Sequence, residues 1–169
     1  MVNCNYENFG CMGGYLLTSI DYLMVEGTVS STCKAYQGER SRCDYRCDQG
    51  LHEKDPYEKY YCSVGSLKIL TEVEDMKREI STNGPMMFGL MIYEDFMNYN
   101  KGIYKHITGD VVSGHAMKAI GYGVDEKEGL YWIMQNQWTE EWGDKGFIKI
   151  KAGEIGIDAV GLSCMPDLI

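Results

Sequence analysis

Five of the seven cysteines in this 169-residue chain, Cys4, Cys11, Cys33, Cys43 and Cys47, fall within its first 47 residues. That density limits what the stretch can become. Long apolar runs are scarce there, so cross-links rather than a large core must hold it, and such cross-links favour an oxidising compartment. Zinc is the competing reading, because Cys43 and Cys47 have a ligand-like spacing. No C-x-x-C or H-x-x-x-H knuckle completes a site, so neither a metal nor a cofactor is expected. An odd count leaves at least one cysteine without an internal partner.

The rest of the chain has a different texture. Residues 1–68 are rich in cysteine, glycine and charge, and one helix stands out at about 15–26. There Leu16, Ile20, Leu23 and Met24 recur at helical spacing, Gly13-Gly14 precede them and Gly27 follows. The stretch 30–55 reads as irregular. Beyond it, 73–82 reads as a helix with a capping box from Thr71 to Glu74 and a stop at Asn83-Gly84-Pro85. Strands follow at 86–92, 103–107, 115–121, 130–135 and 146–151, with a short helix at 94–99. In the last strand Ile148 and Ile150 alternate with Lys149 and Lys151. The expectation is an α+β fold: a helical, cysteine-stapled lobe over 1–68 and an antiparallel, barrel-like β lobe over 69–169 whose tail returns toward the first.

Composition narrows the partners. A net charge of −9 disfavours a nucleic-acid backbone. No run of 18 apolar residues occurs, so no membrane span is expected. No signal peptide is visible at Met1, so a segment directing secretion would lie outside this sequence.

The chemistry centres on His115 and Asn136. His115 opens an apolar strand-like run after Gly114, which leaves space beside the imidazole. Asn136 ends another such run and is followed by Trp138 and Trp142. Taken alone, each has a plainer reading: a structural histidine, and a turn residue at a strand end. Taken together, an asparagine carbonyl accepting from an imidazole N–H fixes the tautomer and frees the other nitrogen to serve a nucleophile. A neighbouring tryptophan shields that bond from water.

Three segments resemble the papain-like cysteine proteases. They are Asn8-Phe-Gly-Cys-Met-Gly-Gly-Tyr15, Ser113-Gly-His-Ala-Met-Lys-Ala-Ile-Gly-Tyr-Gly123 and Tyr131-Trp-Ile-Met-Gln-Asn-Gln-Trp-Thr-Glu-Glu-Trp-Gly-Asp-Lys-Gly-Phe147. Asn83-Gly-Pro85, Tyr93-Glu-Asp-Phe96, Gly102-Ile-Tyr-Lys-His-Ile-Thr-Gly109 and the 33–47 insertion are similar to the cathepsin B-like branch. The resemblance implies a papain-like two-lobe fold whose helical lobe is here incomplete. It makes His115 the general base, Asn136 its orienter and Trp138 a shield lining the primed side. Gly13 and Gly14 would present backbone to an extended peptide, and Val160 would floor the second specificity pocket. It also implies disulfides Cys4–Cys43 and Cys33–Cys47, peptide or protein substrates, and a lysosomal, acidic-vesicle or secreted location.

The family's nucleophile segment does not occur in this sequence. The family spacing, roughly 130–150 residues before the histidine and asparagine, sets it before Met1. The family pairs the position of Cys11 with a cysteine of that segment, which makes Cys11 an orphan here and not a nucleophile. Cys62 and Cys164 match no family cysteine. Gln137 stands where the family usually has serine, a departure that bears on fine geometry more than on role. The 33–47 segment holds 13 intervening residues and no histidine, where the branch has a longer loop with paired histidines; the resemblance then implies internal cleavage without dipeptide trimming. His106 reads as a structural mid-strand residue and His52 as a solvated loop residue. Two expectations follow: a peptidase portion inactive alone, its nucleophile supplied by a preceding segment or a separate chain, or a non-catalytic remnant acting as a binding or scaffold protein.

Overall fold

α1, Leu16–Val25, is the one α-helix described in the cysteine-rich region. A computed structural model describes residues 1–48 and 57–167; His52 lies outside them. By its internal contacts the chain divides into two units, Met1–Leu67 with Cys164–Ile169, and Lys68–Ser163.

In the smaller unit, α1 buries Ile20 completely and leaves Leu16, Leu23 and Met24 half-covered, which is the apolar face that the spacing predicts. Its N-terminus is not capped by the preceding residue. Asn8 reaches in from seven positions upstream: its Oδ1 accepts from the Tyr15 N–H at 2.9 Å and from the Thr18 hydroxyl at 2.7 Å. Its amide nitrogen donates to Ser19 Oγ at 3.0 Å. Cys4 is bonded to Cys43 and Cys33 to Cys47. Neither Cys43 nor Cys47 therefore keeps a thiolate for zinc. Cys62 and Cys164, unassigned from the sequence, are bonded to each other across 102 positions. Closing so long a loop restricts the unfolded chain most, by about 4–5 kcal/mol in chain-entropy terms. Cross-links are not the whole account of the irregular stretch: Lys34 pairs with Asp44 and Asp48, and Asp48 accepts from the Ala35 N–H at 3.0 Å.

The larger unit is one sheet with α2, Val73–Asn83, packed on it. Its strands are β1 Lys68–Leu70, β2 Met86–Tyr93, β3 Ile103–Tyr104, β4 Val111–Asp125, β5 Gly129–Gln135, β6 Phe147–Lys151 and β7 Gly161–Ser163, in the order β1-β7-β2-β4-β5-β6-β3. All pairs are antiparallel except β3 with β6, which is parallel. Alternate residues of β2 (Met86, Phe88, Leu90, Ile92) are buried, as a half-covered strand requires. Trp132 of β5 and Phe88 form the centre of the core, edge to face with ring centroids 5.0 Å apart, both fully buried. Met76 and Ile80 close it from α2.

Several local expectations are corrected. The strand read at 103–107 stops at Tyr104, because Asp95 captures the backbone that would extend it. Asp95 accepts from the N–H groups of Ile107 and Thr108, at 2.8 and 3.2 Å, and from the Tyr104 hydroxyl at 2.6 Å. Local bonds of this kind compete with a ladder. His106 is thus in a loop, stacked on Tyr93 at 3.9 Å with Nδ1 3.1 Å from Asp95. β4 runs four residues further than read at each end, since β2 pairs with it as far as Val111 and β5 as far as Asp125. The helix at 94–99 is a 3₁₀ segment, Glu94–Asn98. The capping box does not form: α2 starts after Glu72 without a side-chain cap, and Glu74 pairs with Lys77 at 2.8 Å instead. β1 and β7, three residues each, were too short to read.

One buried carboxylate joins α2 to the sheet edge. Glu79, 6% exposed, takes Lys68 Nζ at 2.6 Å, Asn83 Nδ2 at 2.9 Å and the Ser163 hydroxyl at 2.9 Å. Burial pushes its pKa up, but these three partners outweigh burial and hold it below the usual glutamate value. The stabilisation is therefore present above the ordinary glutamate range and lost as pH falls through the lowered folded value. Glu79→Ala should cost about 2 kcal/mol near neutral pH, the scale of losing hydrogen bonds to a charged group, and less at pH 3, read from denaturant midpoints of the 169-residue chain.

Candidate active site

His115 and Asn136 meet because β4 and β5 are antiparallel neighbours. His115 lies on β4 in line with buried Met117 and Ala119, so its side chain takes the core-facing direction near the open end of the strand. Asn136 is the first residue past β5, and its own N–H still donates to the Gly146 carbonyl at 2.9 Å. The segment 137–145 then leaves the sheet and carries Trp138 and Trp142.

His115 Nε2 lies 3.0 Å from Asn136 Oδ1. An amide oxygen only accepts, so the imidazole carries its proton on Nε2 and donates. Nδ1 of His115 is left with no hydrogen-bond partner among the described residues. Burial lowers the His115 pKa, while the Asn136 bond opposes that by supporting the charged form; burial wins and the ring titrates below its ordinary value.

An aromatic cluster covers this pair. Trp138 tilts over His115 with ring centroids 4.9 Å apart. Phe96, fully buried, meets His115 and Trp138 edge-on and stacks on Trp142 at 5.2 Å. Trp142 is fixed by its indole N–H, which donates to the Met97 carbonyl at 3.1 Å. Apolar rings on these sides exclude water from the His115–Asn136 bond and strengthen it. Asn136 is 8% exposed, and its amide nitrogen is buried with no hydrogen-bond partner among the described residues. An orphaned buried donor costs about 1–3 kcal/mol.

The remaining residues singled out from the sequence are Gly13, Gly14 and Val160. Gly13 and Gly14 belong to the smaller unit, and the structure separates their roles. Gly13, at φ 98°, has a conformation that favours glycine, and a side chain there would meet nothing within 4 Å. A Cβ on Gly14 would run into the Asn8 side chain, so Gly14 is explained by the cap of α1. Val160 precedes β7, half-buried. Gly161 pairs with Phe88, and extending that register by one residue sets Val160 opposite Gly89, itself paired with Ala116. Phe96 escaped notice as a site residue in the sequence. It sits 19 positions before His115 in a 3₁₀ turn, and no spacing rule connects the two.

The arrangement is a half-buried imidazole with a fixed tautomer, a free nitrogen and a water-excluding wall. It can take a proton from a nucleophile and return it to a leaving group. Comparison with known proteins bears on what it belongs to. The family described as Papain family cysteine protease matches residues 1–164. The Arabidopsis thaliana cathepsin B-like protease 1 is 32% identical across 94% of this chain and 45% of its own length. A cathepsin B-like cysteine proteinase of Schistosoma japonicum is 33% identical across 85% of this chain and 49% of its own. The chain thus spans about half the length of the curated relatives it matches. The solved procathepsin B S9 from Trypanosoma congolense superposes with a TM-score of 0.88 at 29% identity, covering 99% of this chain and 59% of that one. With its α+β fold, its disulfides and these matches together, the chain belongs to the papain family of cysteine proteases, in the cathepsin B-like branch.

Proposed function

We propose that this chain supplies the base half of a cathepsin B-like peptidase site. The observation that carries the reading is the His115–Asn136 bond at 3.0 Å, which leaves His115 Nδ1 without a partner among the described residues, with the rings of Phe96 and Trp138 packed on the imidazole. A thiol placed against Nδ1 would pass its proton there. The thiolate would attack the peptide carbonyl carbon, and the imidazolium would return the proton to the departing amine. Water would then release the acyl group. Asn136 holds the tautomer that this requires, and Trp138 shields it.

The thiol must come from elsewhere. Residues 68–163 contain no cysteine. Six of the seven cysteines are in disulfides, and the family resemblance pairs the position of the seventh, Cys11, with a cysteine of the nucleophile segment. A preceding segment or a separate chain bearing the family's nucleophile helix is the partner this implies. The same inventory supports a second reading, a remnant that binds peptides without cleaving them. Substrates in either case are peptides or proteins. Gly13 offers open backbone to an extended strand. The three disulfides favour a lysosomal, acidic-vesicle or secreted setting. By the family resemblance Val160, in line with Gly89 and Ala116, would floor the second specificity pocket and bring no charge to it.

Three measurements test these statements. Purified 1–169 should not hydrolyse a fluorogenic peptide, whereas a folded chain extended with the nucleophile segment of a cathepsin B-like relative should, and His115→Ala should abolish it. Hydrolysis by 1–169 alone, lost in His115→Ala, would overturn the need for an outside thiol; no hydrolysis by the extended chain would favour the remnant. A peptide library on the extended chain should show apolar residues preferred over arginine at the second position; a preference for arginine would contradict the role given to Val160. The third concerns pH. Because the His115 pKa is lowered on folding, its contribution is present above about 6.5 and lost as pH falls through the folded value. An NMR titration should place the midpoint below 6.5, and Asn136→Ala, which removes the opposing bond, should move it lower still.

A further inference from the structure

Gln137 makes two bonds, and they go to the two halves of the His115–Asn136 pair. Its backbone N–H donates to Asn136 Oδ1 at 2.9 Å, the same oxygen that accepts from His115. Its side-chain Nε2 donates to the carbonyl of Ala116, the residue after His115, also at 2.9 Å.

The register explains why the side chain is needed. β4 and β5 pair Lys118 with Gln135, and two residues further along the same ladder would set Ala116 opposite Gln137. There the backbone N–H of Gln137 would meet the Ala116 carbonyl. It does not, because the chain leaves the sheet after Asn136 and that N–H turns to Asn136 Oδ1. The Ala116 carbonyl would then lack its ladder partner, and the Gln137 side chain takes the place of the missing backbone group. A serine hydroxyl, attached at Cβ, is too short to make this bond from the same backbone.

We propose that Gln137 is a positioning residue: it completes the β4–β5 ladder by side chain and so fixes the strand under His115 at the distance the Asn136 oxygen requires. The proposal rests on His115 and Asn136 being the base and its orienter. Gln137 touches neither a nucleophile nor a substrate and acts through that pair alone. Because Gln137 is exposed, its loss leaves the core intact, and the effect is confined to the geometry of the pair.

The test reads the imidazole directly in the 169-residue chain labelled with ¹⁵N-histidine, with His115 assigned by its loss in His115→Ala. In the unsubstituted chain the neutral ring should carry its proton on Nε2. Gln137→Met keeps the length of the side chain and removes the donor; it should lower the ratio of the Nε2–H to the Nδ1–H tautomer about threefold, the scale of one exposed neutral hydrogen bond. Gln137→Ser should do the same. Gln137→Lys, which restores a donor with reach, should recover the ratio. The thermal midpoint, which a purely structural role would lower, should change little. An unchanged ratio in folded Gln137→Met and Gln137→Ser would overturn the proposal and leave the pair standing. An unsubstituted chain whose His115 is not protonated on Nε2 would overturn the pair and the proposal with it.

Discussion

β4 is hydrogen-bonded along both edges, to β2 from Val111 to Ala119 and to β5 from Lys118 to Asp125, and that double register decides where the side chains of the larger unit go. Successive residues of a strand face opposite sides, so a slip by one would turn Met117 and Ala119 out of the core and His115 with them. The register is held by what it buries. Phe88 pairs with Met117 and Met86 with Ala119, all of them essentially inaccessible. The same hydrophobic packing that stabilises the sheet therefore puts the imidazole on the core face of β4.

Where β4 and β5 part, the packing of the core gives way to polar groups. The core ends at Asn136, a buried amide whose nitrogen has no partner among the described residues. Its oxygen accepts twice, from His115 and from the Gln137 backbone. A residue chosen for packing alone would be apolar here. The aromatic residues Phe96, Trp138 and Trp142 lower the local dielectric, which strengthens the imidazole–amide bond and at the same time disfavours the imidazolium. The two effects oppose each other on His115, and burial is the larger.

The smaller unit is organised differently, because among its described residues only Ile20, Cys33 and Cys62 are buried apolar side chains. Three disulfides, the Lys34 ion pairs and the long-range cap from Asn8 to α1 replace packing with specific links. Asn8 shows how such links propagate into sequence. Its amide fills the space that a side chain on Gly14 would need, so one capping bond fixes the identity of a residue six positions away.

Much of this was legible in the sequence, and the reason is periodicity. Apolar spacing marked α1 and the alternation of β6, because burial on one face is written into every second or every third and fourth residue, whereas α2 was marked by its Asn83-Gly84-Pro85 stop. The family segments singled out His115, Asn136 and Trp138 by residue type and neighbours. What the sequence did not show depends on contacts between distant positions. β1 and β7 exist only because partners cover them, and β3 ends where Asp95 takes its backbone. Glu79 is buried because Lys68 and Ser163 reach it from opposite ends of the unit, and the Cys62–Cys164 bond joins positions 102 residues apart. Phe96 became part of the site, and Gln137 a bridge across two strands, through tertiary placement alone. Residue chemistry and local spacing therefore determined which groups could act. The packing of strands far apart in sequence decided which atoms face one another, since a hydrogen bond is set by distances that only the folded chain defines.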